Sequence, residues 1–148
     1  MKIKRFKIFE ASVLWDDFIN KVNTGVLPKD IADSKSINKL TKLIPDGSKI
    51  LDISIGDGAN SEYFIEQGFE VYGTDISKLA IDTIKEEYPD YTWVEHDTLE
   101  SFPFPDNFFN LIFVSLTCSI NPYSSNCLMN LLYRCLLIKN SLCAFFDW

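Results

Sequence analysis

Apolar positions along this chain change their period near Pro45-Asp46-Gly47. Ahead of that turn they recur at helical spacing. Val13, Leu14, Trp15, Phe18 and Ile19 suit one helix; Ile31, Ile37, Leu40 and Leu43, behind Pro28 as a first helical residue, suit a second, both packed over the core. Beyond it, continuous apolar runs alternate with amphipathic ones. Lys49-Ile50-Leu51-Asp52-Ile53 reads as a buried strand, 59–67 as a helix that Gly68 stops, and 69–74 as a second strand. Ser77 caps a helix over 78–87 that Pro89 breaks, and 91–95 is a third strand rich in β-formers. A fourth strand follows at 109–115. Residues 123–138 carry Leu128, Leu131, Leu132, Cys135 and Leu136 at helical spacing, and 142–146 closes the chain as a fifth strand. Regular alternation of apolar strands with helices predicts an α/β fold: a mostly parallel sheet of about five strands with helices on both faces. The expected organisation is one domain, with an N-terminal helical cap over 1–44 and an α/β core over 45–148.

Composition narrows the functional classes. A chain of 148 residues with 47% apolar and 14% aromatic side chains, and only 6 Gly and 6 Pro, has the makings of one core and excludes disordered or collagen-like chains. The balance of 21 acidic against 14 basic residues, a net charge of −7, argues against gripping nucleic acid or an anionic membrane through bulk charge. The longest apolar stretches, 111–116 and 142–146, fall far short of the roughly 20 residues a membrane helix needs. The basic opening is followed by no apolar signal region, which reads as a cytoplasmic protein. Cys118, Cys127, Cys135 and Cys143 are spaced too widely for a C-x-x-C pair and read as buried thiols; His96 is the only histidine, and no metal is assigned.

Ligands of parallel sheets sit at the carboxyl ends of the strands, so the chemistry is sought there. After the first strand comes Asp52-Ile53-Ser54-Ile55-Gly56-Asp57-Gly58, whose glycines permit positive φ and a close ligand approach. Asp75 ends the second strand, placed to accept hydrogen bonds from a ribose diol, and Asp97 follows the third, where a carboxylate can meet the exocyclic amine of adenine. A pyrophosphate fits this loop poorly. Unit charges about 4 Å apart cost on the order of 1 kcal/mol in water and about 4 at an effective dielectric of 20, so Asp52 and Asp57 oppose an anion. Ser61 also stands where the third glycine of G-x-G-x-x-G would be. A cationic nucleoside such as S-adenosylmethionine suits the acids better.

With these residues in place, the sequence resembles the class I S-adenosylmethionine-dependent methyltransferases of small-domain type. Leu51 to Gly58 follows their LD-x-G-x-G-x-G motif with Ser54 for the first glycine, and Val71-Tyr72-Gly73-Thr74-Asp75-Ile76-Ser77 looks like their second-strand motif. His96-Asp97-Thr98 is similar to the adenine-side acid with its neighbours. Phe102-Pro103-Phe104-Pro105-Asp106-Asn107-Phe108-Phe109-Asn110-Leu111-Ile112-Phe113 resembles the approach to the fourth strand, with Asn110 where Asp is usual, and Arg134-Cys135-Leu136 the end of the next helix. The resemblance runs from about residue 45 onward. It implies a Rossmann-like fold, S-adenosylmethionine as cofactor, and methyl transfer by in-line displacement to an unidentified small-molecule or protein acceptor. The cofactor-binding set it implies is Asp52, Ser54, Gly56, Asp57, Gly58, Asp75, Ile76, Asp97, Thr98 and Ser115, with no catalytic residue assigned. Ser54 is expected to cost affinity if its position requires positive φ.

The family's sheet normally has seven strands in the order 3-2-1-4-5-7-6. Two C-terminal strands are therefore expected to be missing, so that either a second copy or a partner covers the apolar edge of the fifth or the chain is a fragment of a longer one. Asn121-Pro122-Tyr123 reads as a turn opening the next helix, and His96 as a structural or adenine-edge residue rather than a base. Two alternatives stay open: a non-catalytic cofactor-binding or dimerisation subunit, and an NAD-binding domain, which Asp57 and Ser61 disfavour.

Overall fold

In a computed structural model of the chain, residues 16, 19–26, 34–98, 100–101, 103–116 and 142–147 are described. Residues 19–23 are helical, and Gly25, at φ 73°, turns the chain out of that helix. Helix α1 spans Ser34–Thr41. Then come β1 (Lys49–Ile53), α2 (Ala59–Glu66), β2 (Glu70–Asp75), α3 (Lys78–Glu87), β3 (Thr92–Glu95), β4 (Leu111–Leu116) and β5 (Leu142–Asp147). From β1 onward these boundaries fall within two residues of the pattern in the apolar positions. The helix expected over 123–138, the Asn121-Pro122-Tyr123 turn, Arg134 and three of the four cysteines lie outside the described residues, as do Val13, Leu14, Trp15, Phe18 and Ile31.

The strands form one parallel sheet in the order β3-β2-β1-β4-β5. Strand β1 is central, pairing Ile50 with Val71 of β2 and with Leu111 of β4. That position between neighbours explains why its residues are apolar without alternation, both faces being buried. On one face Ile50, Val71, Trp93, Leu111 and Phe113 pack with Phe64 of α2, Ile81 and Ile84 of α3, and Ile19 and Ile37 of the N-terminal region. On the other, Leu51, Ile53, Ile112 and Val114 pack with Phe109, and Tyr72, Phe104 and Phe108 complete an aromatic cluster there. Its ring centroids are 5.0 to 6.5 Å apart, mostly edge to face. Both α2 and α3 thus cover the first face.

Two local features depart from expectation. Leu43 does not continue α1: the helix stops at Thr41, the Leu43 amide closes a turn on the Leu40 carbonyl at 2.9 Å, and the side chain is 69% exposed. Its helical spacing was met in sequence after the helix had already ended in space. Asn110, in contrast, does the work of an aspartate: its Oδ1 accepts the Lys49 amide at 2.9 Å while its own amide donates to the Lys49 carbonyl at 2.9 Å. This pair fastens the entry of β4 to the start of β1, in the register that sets Ile50 beside Leu111 and Ile53 beside Val114.

Candidate cofactor site

Past Ile53 the chain leaves the sheet through a strained turn. Ser54 has φ 64°, a left-handed conformation that costs a residue with a Cβ about 1 kcal/mol or more. It is held there by the amides of Ser54 and Ile55, which both donate to the Thr74 carbonyl at 2.8 and 3.2 Å. Gly56 follows at φ 56° and Gly58 at φ 80°. These glycines do different things. A Cβ on Gly56 would meet nothing nearer than the Ser54 carbonyl oxygen at 4.0 Å, so its backbone faces open space. A Cβ on Gly58 would lie 2.6 Å from Ile84 Cδ1, so that glycine lets α3 pack against the start of α2. Asp57 Oδ1 accepts the Ala59 amide at 3.1 Å and so caps α2, whose N-cap Gly58 has no side chain to do it.

The carboxyl ends of β1, β2 and β3 bring the expected acids together. Asp52 is fully buried, and its Oδ2 accepts the Ser61 hydroxyl at 2.6 Å. Its Oδ1 has no hydrogen-bond partner among the described residues, nor does the neighbouring buried Thr74 Oγ1. Burial pushes the Asp52 carboxyl up to about 7, against the Ser61 hydrogen bond, with the charges of Asp75 and Asp57 adding to the rise. Asp75 is buried too, and raised to about 6 chiefly by desolvation. Its oxygens accept the amides of Gly56 at 2.9 Å and Ser77 at 2.8 Å, with a further bond from the Ile76 amide, all favouring the ionised form. The His96 amide donates to the Asp75 carbonyl at 2.8 Å, tying the segment that carries Asp97 and Thr98 to the end of β2. Ile76, Asp97 and Thr98 are half-buried there. Ser115 lies on β4 opposite Phe146 of β5; its side chain is outside what is described.

Three residues join the site that sequence patterning did not single out for it. Ser61 was notable only as a missing glycine, yet it is buried on α2 against Asp52. Ser77 was a helix cap, and it does accept the Ala80 amide at 3.1 Å. Its hydroxyl also donates to Asp16, whose charge raises Asp75 further. Asp16 comes from the N-terminal region, and the only signal for it was an acidic pair, Asp16-Asp17, inside an apolar helical pattern.

The arrangement tests well for S-adenosylmethionine. A buried carboxylate oxygen without a donor among the described residues suits a donor from a ligand, and the turn that follows it carries Gly56 at positive φ. The surrounding charges are acidic, which suits ammonium and sulfonium groups and opposes a pyrophosphate. Among the described residues no group of three His, Cys, Asp or Glu side chains is placed to hold a metal ion, and no helix is long and apolar enough to cross a membrane.

Comparison with known proteins agrees with this geometry. A curated relative, the demethylmenaquinone methyltransferase of Renibacterium salmoninarum, is 25% identical over 72% of this chain and 46% of its own length. The crystal structure of a TehB-like SAM-dependent methyltransferase from Corynebacterium glutamicum matches with a TM-score of 0.52 and 27% identity, over 71% of this chain and 54% of that one. The CcbJ methyltransferase from Streptomyces caelestis shares the fold at a TM-score of 0.70 with 12% identity, covering 88% of this chain and 56% of its own. The chain therefore spans about half the length of these relatives. The family model described as a methyltransferase domain matches residues 50–137, from β1 to beyond β4. With the glycine turn, the strand-end acids and strands β1 to β4 inside that match, this chain belongs to the methyltransferase-domain family.

Proposed function

We propose that the chain carries the cofactor site of an S-adenosylmethionine-dependent methyltransferase acting on an unidentified acceptor. The observation that carries this reading is Asp52: a fully buried carboxylate near the end of the central strand, with Oδ1 unpartnered among the described residues, ahead of the glycine turn. Family membership and the SAM-dependent relative point to the same cofactor. When bound, S-adenosylmethionine supplies a methyl group on a sulfonium that is already an activated leaving group. The protein's task is then to position and to exclude water, and no side chain need form a covalent bond. Asp52 receives the ammonium group at Oδ1. Asp75, whose carboxylate keeps one lone pair after accepting the amides of Gly56, Ser77 and Ile76, receives a ribose hydroxyl. Asp97 receives the adenine amine. His96, buried with its amide on the Asp75 carbonyl, holds the adenine-side segment in place.

Calorimetric titration with S-adenosylhomocysteine tests this directly. Wild-type protein should bind, and Asp75→Asn should weaken binding at least tenfold in a chain that circular dichroism shows to be folded, with some fall in melting temperature because Nδ2 cannot accept the backbone amide that Asp75 now takes on that oxygen. Absence of binding by folded wild-type protein would refute the reading.

A further inference from the structure

Asp52 raises a question that the cofactor reading leaves open. A carboxylate on a short side chain can rotate about its terminal bond, and a buried one can also take up a proton; either change would remove Oδ1 as an acceptor for a cation. Something must hold it. Strand β1 fixes the backbone, with Asp52 paired to Gly73 on one side and Phe113 on the other, but neither neighbour offers a donor side chain. The donor comes from α2. Ser61 is fully buried, and its hydroxyl lies 2.6 Å from Asp52 Oδ2, a short charge-assisted bond. Ser61 can reach it because Gly58, left-handed and pressed to Ile84, starts α2 directly over the end of β1.

We propose that Ser61 is a positioning residue for the amino-acid end of the cofactor: by donating to Asp52 Oδ2 it fixes the carboxylate, ionised, with Oδ1 left as acceptor for the ammonium group. The groups acting on Asp52 are consistent with that need. Asp75 from β2 and Asp57 from the turn both disfavour its charge, α2 contributes Ser61 in favour, β4 contributes the apolar Phe113, and Asp16 acts at one remove by raising Asp75. Against burial and two like charges, the Ser61 hydroxyl is, among the described residues, the one side-chain hydrogen bond that opposes the rise. A hydrogen bond to a charged group is strong enough that its loss should read as a change of about tenfold in affinity.

This inference rests on the cofactor reading above, and two ligands keep the two separable. S-adenosylhomocysteine carries both the adenosine and the amino-acid end; 5′-methylthioadenosine carries only the former. Both should bind the wild-type chain in calorimetric titration. Ser61→Ala should weaken S-adenosylhomocysteine about tenfold at pH 7 and leave methylthioadenosine within twofold. The pH at which S-adenosylhomocysteine affinity reaches half its alkaline limit should move upward in Ser61→Ala, because the carboxylate has lost its donor. Ser61→Thr should restore both values, and Ser61→Cys, of nearly serine volume but a weak donor, should behave as alanine does should the alanine variant fold poorly. Equal weakening of both ligands, or an unshifted pH midpoint, would overturn the positioning role while leaving the cofactor reading intact. A wild-type chain that binds neither ligand would overturn the cofactor reading itself.

Discussion

A carboxylate buried as Asp52 is weakens the fold that holds it. In the unfolded chain it ionises near its ordinary value of 3.8; in the folded protein it resists until about 7. The folded state therefore binds the extra proton between these values, and the stability linked to it is present in full below about 3.8 and lost as pH rises through about 7. Asp75 adds to the same trend up to about 6. Asp52→Asn is expected to flatten the fall in melting temperature between pH 5 and 8, to raise that temperature at pH 8, and to lose affinity for S-adenosylhomocysteine; paired thermal melts and titrations check it. Such a gain in stability with loss of binding is the usual sign of a site held ready at a cost to the fold. Ser54 offers the converse test. Its φ of 64° was anticipated only conditionally from its place in the glycine motif, and the structure makes it real. Ser54→Gly should relieve up to about 1 kcal/mol of backbone strain, seen as a rise of about 2–4 °C in melting temperature. The acids and glycines were legible because strand ends can be read from apolar runs. Ser61 and Asp16 were not, since nothing in a linear pattern says which hydroxyl of a helix meets which strand end.

Two glycines of this chain, Gly58 and Gly73, join elements through the side chain they lack. Gly73 sits mid-strand in β2 with no unusual φ, and the second-strand motif in which it falls gives no physical reason for a glycine there. A Cβ there would fall 2.5 Å from Trp93 Cε3 and 2.7 Å from Ile55 Cγ2, so the indole of β3 and the turn after β1 both lie across the bare glycine. The Trp93 indole is held in place by its Nε1–H donating to the Tyr88 carbonyl at 2.9 Å. Gly73→Ala should therefore cost about 1–3 kcal/mol in chemical denaturation, and Trp93→Leu in the same molecule should recover only part of that, because Ile55 still obstructs. Gly58→Ala should be as costly for two reasons, its φ of 80° and the contact with Ile84, and Ile84→Val should relieve only the second. Helix and strand boundaries, by comparison, were read closely from apolar period and caps such as Ser77. The exception, Leu43, shows the limit: periodicity continues through a residue whether or not the backbone hydrogen bonds do.

At the scale of the whole molecule, a ligand that seats against the ends of three adjacent strands should tighten the sheet as a unit. At a concentration a hundred times its dissociation constant, S-adenosylhomocysteine is expected to add about 2.7 kcal/mol to stability, a shift of about 5–10 °C in melting temperature by calorimetry. The strand order itself explains why the site lies there. The chain runs from β1 to β2 and β3 on one side and resumes at β4 and β5 on the other, and it is at such a switch in a parallel sheet that ligands bind. That parallel architecture, its order of elements and the positions of Asp52, Gly56, Asp75 and Asp97 at strand ends were determined by the sequence alone, because apolar runs, caps and glycines act locally and need no knowledge of neighbours. Only the tertiary structure decided that Gly58 and Gly73 are packing residues, that Asp16 reaches Ser77, and that Ser61 holds one oxygen of Asp52 while the other lacks a donor among the described residues. Those facts depend on distances between segments far apart in the chain, and burial, which sets both the clash at a glycine and the charge on a carboxylate, exists only once those segments have packed.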